Sequence, residues 1–419
     1  MKSTSLPGVV RQFLPELPDA SLRPPTTLLD IAPYVLVVYI HAILVLIPGT
    51  RTLRLSLLPF TIFLAWHAIV NSDFALAMSP KLTGWGFRPE RLRHLNFGYA
   101  IAVLVLAARS IQWTFVPGHY RKYDLPQEGE DTPLLERPRR ITTVPVDALE
   151  LMLNQRGQGW SWTRRPFPAA QARLNTPSIA AQCLHLLSAL VILDAAHYSI
   201  QLLVPGVNDP DGGTIFDPFL PPLARYTRSS IVTILSAFVI FGGINAMYLS
   251  IVVPARLALR QPAWRWQTLF HDPWFSTSVT RFWGKGWHQL FRPIFIAVGA
   301  VPGQKLLGTP GAVMGAFAAS AILHDGGMWA MGHGCEFRSV SGFFLAGGVG
   351  MVLEAGWGRW TGRPVGGLSG WVWTMSWTLS WGNLMVDAWA RRGLVASDIF
   401  PETWRPGKML LDLVRGALT

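Results

Sequence analysis

Long apolar runs separated by short polar connectors organise this chain. Eight stretches are apolar over roughly the 20 residues a helix needs to cross the hydrocarbon core of a bilayer. They lie at about 28–48, 53–71, 97–116, 178–204, 230–253, 309–332, 340–358 and 369–390. A further run, PIFIAVGAV at 293–301, is too short to cross upright and reads as re-entrant or as part of a tilted ninth helix. The pattern predicts an all-α, polytopic integral membrane protein with about eight to nine transmembrane helices. The expected organisation is an N-terminal surface segment (1–28), N-terminal membrane helices (29–116), a connector (117–177), a main membrane domain (178–390) and a C-terminal tail (391–419).

Composition supports that class. Half of the 419 residues are hydrophobic and only 14% are charged, where a soluble domain usually carries about a quarter. The formal net charge of +12 would suggest nucleic acid in a soluble protein. Here the cations sit between apolar runs, so anionic lipid or an anionic co-substrate is the expected partner, and no nucleic-acid module is readable. Cys183 and Cys335 form no CxxC pair, so neither a disulfide framework nor a zinc site is expected, and no other metal site is read. Residues 1–28, with five prolines, do not have the apolar core of a signal peptide.

The two polar connectors set an expected topology. Residues 117–177 hold nine Arg or Lys and seven acids; residues 254–292 hold six Arg or Lys and one acid, Asp272. Two spans separate them, so they should share a face, and the basic excess marks it as cytoplasmic. The loop at 72–96 disagrees, since Lys81, Arg88, Arg91 and Arg93 would fall on the other side.

Two stretches carry candidate chemistry. In RFWGKGWHQLFR (281–292), a helical reading puts Arg281, Lys285, His288 and Arg292 on one face, with Trp283 and Trp287 on another. Headgroup anchoring explains cations beside tryptophans equally well, but a neutral imidazole is a poor anchor. In GAVMGAFAASAILHDGGMWAMGHG (311–334), His324 and Asp325 lie inside an apolar span. Gly311, Gly315 and Ala319 form a small-residue stripe suited to close helix packing, and Phe317, Ser320 and His324 share a face. Ionisable groups at this depth are costly and usually face a polar cavity. Glu354, Asp387 and the pair Asp194/His197 are further intramembrane polar groups. They rank below His324 as partners, tunnel residues or helix-to-helix hydrogen bonds.

Phe282-Trp283-Gly284-Lys285-Gly286-Trp287-His288, followed 36 residues later by His324 of FAASAILH, resembles the wax-synthase-like branch of the membrane-bound O-acyltransferases (MBOAT). A third stretch, QRGQGWSW at 155–162, is similar to another element of that branch through Arg156, Gly157, Gly159, Trp160 and Trp162. Gly286 and Ala321 depart from its usual basic residue and glycine. The resemblance implies a helical bundle around a reaction tunnel and transfer of an acyl group from acyl-CoA to an alcohol. Acyl-CoA is then a co-substrate, with no permanently bound cofactor. His324 would act as general base and His288 as proton carrier or hydrogen-bond donor. Arg281, Lys285 and Arg292 would meet CoA phosphates, and Trp283 and Trp287 the adenine or the tunnel wall. The expected setting is the endoplasmic reticulum membrane, with lipid around the protein and a lipophilic alcohol as acceptor. The fungal members of the branch suggest acetylation of a terpenoid or related secondary metabolite; wax-ester synthesis on a long-chain alcohol is the alternative. A proton-coupled transporter using His324, Asp325, Glu354 and Asp387, or an interaction protein without chemistry, are the rivals from other classes.

Overall fold

The apolar runs form helices, and their lengths match bilayer crossing. A computed structural model describes residues 22–124, 135–136, 141–162, 177–261, 265–334 and 336–418. Residues 1–21 of the expected N-terminal segment, much of the 117–177 connector and Cys335 lie outside the described residues. The helices are α1 (Leu28–Leu46), α2 (Arg51–Val70), α3 (Phe74–Thr83), α4 (His94–Phe115), α5 (Val144–Leu153), α6 (Ile179–Leu203) and α7 (Pro222–Leu257). Next come a short helical piece, α8 (279–286), and a helical hairpin of α9 (292–306) and α10 (309–328). The series ends with α11 (Val340–Thr361), α12 (Gly367–Arg391) and α13 (Pro406–Leu418). A two-residue antiparallel ladder, Tyr123–Asp124 with Leu135–Glu136, is the sheet among the described residues.

Seven of the helical stretches are long and apolar enough to cross a membrane, with 292–332 treated as one. The eighth expected span is α12, a 25-residue helix whose tryptophans and polar residues make it less apolar. Large apolar side chains such as Phe63, Leu187 and Ile322 are exposed on several of these helices; a bilayer, not water, is the solvent that suits such a surface.

Polar residues buried among the first spans are paired. The Arg54 guanidinium donates to the carbonyls of Trp113, Val116 (3.2 Å) and Gly118 (3.0 Å). It thereby satisfies carbonyls that α4 leaves open at its C-terminus. His41 meets Thr61, Thr114 and the Arg54 carbonyl, which joins α1, α2 and α4.

The two polar connectors lie at the same end of the bundle, as their spacing predicts. The Arg156 Nη1 group donates to the Gln267 carbonyl at 2.8 Å, and Arg265 pairs with Glu150 at 2.5 Å. The basic loop after α2 lies at the opposite end, and its three arginines are locally engaged. Arg88 pairs with Asp398, Arg91 donates to the Ala396 carbonyl (3.0 Å), and Arg93 donates to the Pro210 carbonyl (2.8 Å). Cations held in such contacts tie loops together, which explains their departure from the expected charge asymmetry.

The run at 293–301 belongs to the hairpin. Leu307 (φ −133°, ψ 19°) and Gly308 (φ 64°, ψ −150°) break the helix and reverse the chain. The left-handed φ at the turn suits glycine. The two limbs then pack backbone to backbone. A Cβ on Gly299 would lie 2.2 Å from the Gly315 carbonyl oxygen, and one on Gly303 would lie 2.0 Å from that of Gly311. The small-residue stripe of Gly311 and Gly315 therefore packs against α9.

These contacts also fix depth. Helix α10 runs antiparallel to α11, with Phe317 beside Gly347 and Gly348, His324 beside Phe344 and Asp325 bonded to Ser341. The tip of the hairpin therefore lies at the connector end. Followed back along the pairing, Arg292 stands opposite Ile322, and Ile294 packs with Leu323. The chain from 279 to 292 thus dives from the connector end into the bundle, and α9 climbs back out.

Candidate active site

Local geometry makes the dive possible. Ser278 caps the first turn of α8 by accepting from the Arg281 N–H at 2.9 Å. The helix then widens into a π-turn over Phe282–Gly286, closed by the Trp287 N–H donating to the Phe282 carbonyl at 2.7 Å. Gly286 fits where a Cβ would stand 2.9 Å from Ser276 Oγ and 3.2 Å from Pro273 Cα. From Trp287 to Phe291 the chain is not helical. The Gln289 side-chain amide donates to the carbonyls of Trp283 (3.2 Å) and Trp287 (2.7 Å), which holds that irregular stretch.

This corrects the single helical face expected for Arg281, Lys285, His288 and Arg292. Arg281 and Lys285 are exposed on α8 near the connector end, and neither makes an ion pair among the described residues. His288 follows the end of the helix and lies within the bundle, not at its edge. Arg292 is exposed and opens α9 at the level of residue 322, deeper than the other two cations. The two indoles also part company. Trp283 points into the bundle, edge-on to Phe317 and Phe343, each at 5.6 Å between ring centroids. Trp287 stacks on Phe282 at 5.5 Å and meets Phe270 and Trp274 edge-on.

His324 and His288 come together. The His324 ring stacks on Phe344 with centroids 4.2 Å apart, and its Nδ1 lies 2.8 Å from the Ser320 carbonyl oxygen. A carbonyl can only accept, so Nδ1 carries the proton in this contact and the neutral ring keeps its lone pair on Nε2. Nε2 has no hydrogen-bond partner among the described residues. His288 is bordered by Phe270, Trp287 and Phe291. Its Nδ1 is buried and makes no hydrogen bond among the described residues. A buried polar atom without a partner in a native fold calls for a functional or structural reason. The two imidazoles are close enough to interact electrostatically. Both side chains are half-buried. They are more enclosed than Ile322 of α10, which is 68% exposed.

The other intramembrane polar groups are bonded elsewhere, although the buried Asp325 Oδ1 has no hydrogen-bond partner among the described residues. Asp325 accepts from Ser341 on α11, so it does not orient its neighbour His324. Asp387 accepts from Thr214 Oγ1 (2.6 Å) and the Ile215 N–H (2.9 Å), and it pairs with Arg391 (2.9 Å). Asp194 pairs with Arg405 at 2.9 Å and accepts from the first N–H groups of α13. His197 bonds the Val395 carbonyl. Glu354 accepts from the N–H groups of Val279 (2.6 Å) and Thr280 (2.9 Å) and from the Trp373 indole (3.0 Å).

The third stretch, 155–162, docks beside the first. Besides Gln267, Arg156 approaches the Thr268 carbonyl at 3.4 Å. The segment after it pairs with the dive, through His271 N–H to the Gly286 carbonyl (2.9 Å) and Gln289 N–H to the Leu269 carbonyl (3.2 Å). Burial and the nearby cations Arg156 and Lys285 push the His271 imidazole below its ordinary pKa. Reading the sequence missed Phe344 and Gln289, which show no pattern beyond ordinary apolar and polar residues. It saw Glu354 without its partners, which are 75 and 74 positions away along the chain.

Residues 266–346 match the membrane bound O-acyl transferase family, the segment that holds the dive, the hairpin and both histidines. The chain is similar to Acetyltransferase ple2 of Rhodocybe pseudopiperita, with 26% identity over 269 residues, 61% of this chain and 66% of the relative. It is also similar to O-Mevalon transferase yanI of Aspergillus niger, with 25% identity over 173 residues, 40% of this chain and 38% of the relative. The chain thus spans less than two thirds of the length of these curated relatives.

Proposed function

We propose that this chain, which carries a membrane bound O-acyl transferase family segment, transfers an acyl group from acyl-CoA to the hydroxyl of a lipophilic alcohol. The observation that carries the reading is the paired histidine geometry. His324 holds its Nδ1 proton on the Ser320 carbonyl and so leaves Nε2 unprotonated, and the buried His288 Nδ1, within electrostatic reach of it, has no hydrogen-bond partner among the described residues.

An alcohol is a weak nucleophile and needs a base within reach of its proton. His324 Nε2 takes that proton as the alcohol oxygen attacks the thioester carbonyl. His288 donates to the oxygen that gains charge; one such donor is worth roughly 3 kcal/mol in comparable sites. The C–S bond then breaks, and the CoA thiolate recovers the proton from His324. The reaction needs no acyl-enzyme, so neither cysteine takes part. Arg281 and Lys285, exposed and without acidic partners among the described residues, meet the CoA phosphates at the connector end. That end faces the cytosol, and the membrane is that of the endoplasmic reticulum. Arg292, set deeper, lines the route between. Trp283 walls the channel beside the reacting groups, and Trp287 braces the dive. Acetyl is the favoured acyl group, since one relative is named an acetyltransferase, and a terpenoid or related secondary metabolite is the favoured acceptor.

The transporter reading loses support because Glu354 and Asp387 each commit both carboxylate oxygens to local donors. Neither is free to pass a proton along a relay. The test is mass spectrometry of purified protein given acetyl-CoA or palmitoyl-CoA with a panel of alcohols. An ester formed with matching CoA release supports the reading. Alcohol-independent CoA release, or none with any acceptor, would contradict it.

A further inference from the structure

Glu354 lies near the connector end of α11, ten residues beyond Phe344, about 15 Å along the helix axis. A carboxylate inside a membrane helix is costly unless its oxygens are satisfied. This one is 8% exposed, and its oxygens take three donors. Two are the first N–H groups of α8, from Val279 and Thr280, and the third is the indole N–H of Trp373 on α12. Backbone N–H groups at a helix start lack partners within the helix, so an acceptor there decides where the helix begins. Close packing reinforces the position. A Cβ on Gly350 would meet Val279 Cγ1 at 3.1 Å, and one on Gly370 would meet the Thr277 carbonyl oxygen at 2.2 Å. The same α11 carries Phe344, which stacks on His324. One rigid helix therefore grips both halves of the histidine pair: His324 through Phe344, and the segment that delivers His288 through Glu354.

We propose that Glu354 is a positioning residue that seats the start of the re-entrant segment, and so sets where His288 stands relative to His324. The catalytic part of this inference rests on the acyl-transfer reading; the geometric part does not. Glu354 itself takes no proton from substrate. Displacement of a reacting group by about 1 Å costs roughly a hundredfold in rate.

Glu354→Ala should therefore lower kcat by about a hundredfold and, because Arg281 and Lys285 ride on the same short helix, raise the KM for acyl-CoA by no more than about tenfold. Glu354→Gln keeps the shape and one accepting oxygen, and it should recover at least about tenfold of that loss. Trp373→Phe removes only the indole donor and should cost no more than about threefold to tenfold. The second readout is the distance distribution between spin labels at Lys285→Cys and Trp360→Cys, measured by pulsed EPR with Cys183 and Cys335 replaced by serine. It should be narrow with Glu354 present, shifted or broadened with Glu354→Ala, and intermediate with Glu354→Gln. An unchanged distribution in Glu354→Ala overturns the proposal whatever the activity. A distribution that shifts on Glu354→Ala while the unlabelled wild-type protein shows no transfer at all supports the seating role and removes the acyl-transfer reading instead. A loss in Glu354→Gln as complete as in Glu354→Ala, with distances unchanged, would mark the carboxylate as a chemical participant and also overturn it.

Discussion

Replacing His324 by alanine separates chemistry from architecture. The side chain makes one hydrogen bond, to the carbonyl of Ser320 in its own helix, and one aromatic contact, to Phe344. The carbonyl keeps its place in the helical ladder when the ring is removed. The lost stacking is worth about 0.5–1.5 kcal/mol, so the fold should survive with a modest fall in Tm. The lost base is a larger matter. General-base catalysis contributes roughly 10²–10⁴ in rate, or about 3–5.5 kcal/mol of barrier. His324→Ala should thus abolish measurable turnover while the protein stays monodisperse and binds acyl-CoA. His324→Asn should fail equally, because an amide accepts no proton near neutral pH. His288→Ala should lower kcat, whereas His288→Asn should keep part of it, since an amide N–H still donates to an oxyanion. The assay is acyl transfer by purified, detergent-solubilised variants beside a thermal melt. Near wild-type turnover in His324→Ala would refute the assignment. With Glu354 and Asp387 committed to local donors, Asp325, whose buried Oδ1 has no hydrogen-bond partner among the described residues, would be the next candidate base.

Arg281→Ala or Lys285→Ala should raise the KM for acyl-CoA by up to about tenfold, the weight of one charge-assisted contact, and leave the KM for the alcohol unchanged; steady-state kinetics in both substrates decide this. Gly315→Val places a branched side chain 2.2 Å from the Gly299 carbonyl oxygen; it should separate the hairpin limbs, lower the Tm and reduce activity, and an unaltered melt would refute the close backbone packing. Cysteines introduced at Ser161 and at Asp211, both exposed, should label from opposite sides of sealed microsomes; labelling from one side would refute the placement of their loops at opposite ends.

The spans were legible because a bilayer imposes length and apolarity together, and the pairing of FWGKGWH with FAASAILH pointed to the candidate chemistry. Three things were hidden, each for a physical reason. The reversal at Leu307 and Gly308 leaves no strong mark, because a glycine followed by Thr309 and Pro310 inside an apolar run reads equally as a helix interruption. The descent of 279–292 depends on a π-turn and on Gln289 bonding two carbonyls, and helical spacing alone cannot foresee that exit. Arg88, Arg91 and Arg93 resembled a topology signal because the charge rule counts cations without knowing their partners; Asp398 and the Ala396 carbonyl lie about three hundred residues away. Glu354 was visible as a buried acid, but its role depends on which backbone it meets.

In the proposed reaction the histidine pair moves an acyl group onto an alcohol. The most direct measurement is transfer of isotope-labelled acetyl from acetyl-CoA to a lipophilic alcohol by the purified protein, followed by mass spectrometry of product and free CoA together. Labelled ester and CoA should form in equal amounts, dependent on the alcohol and lost in His324→Ala. Equal CoA release by wild type and His324→Ala, or label on no acceptor across a broad panel of alcohols, would contradict it.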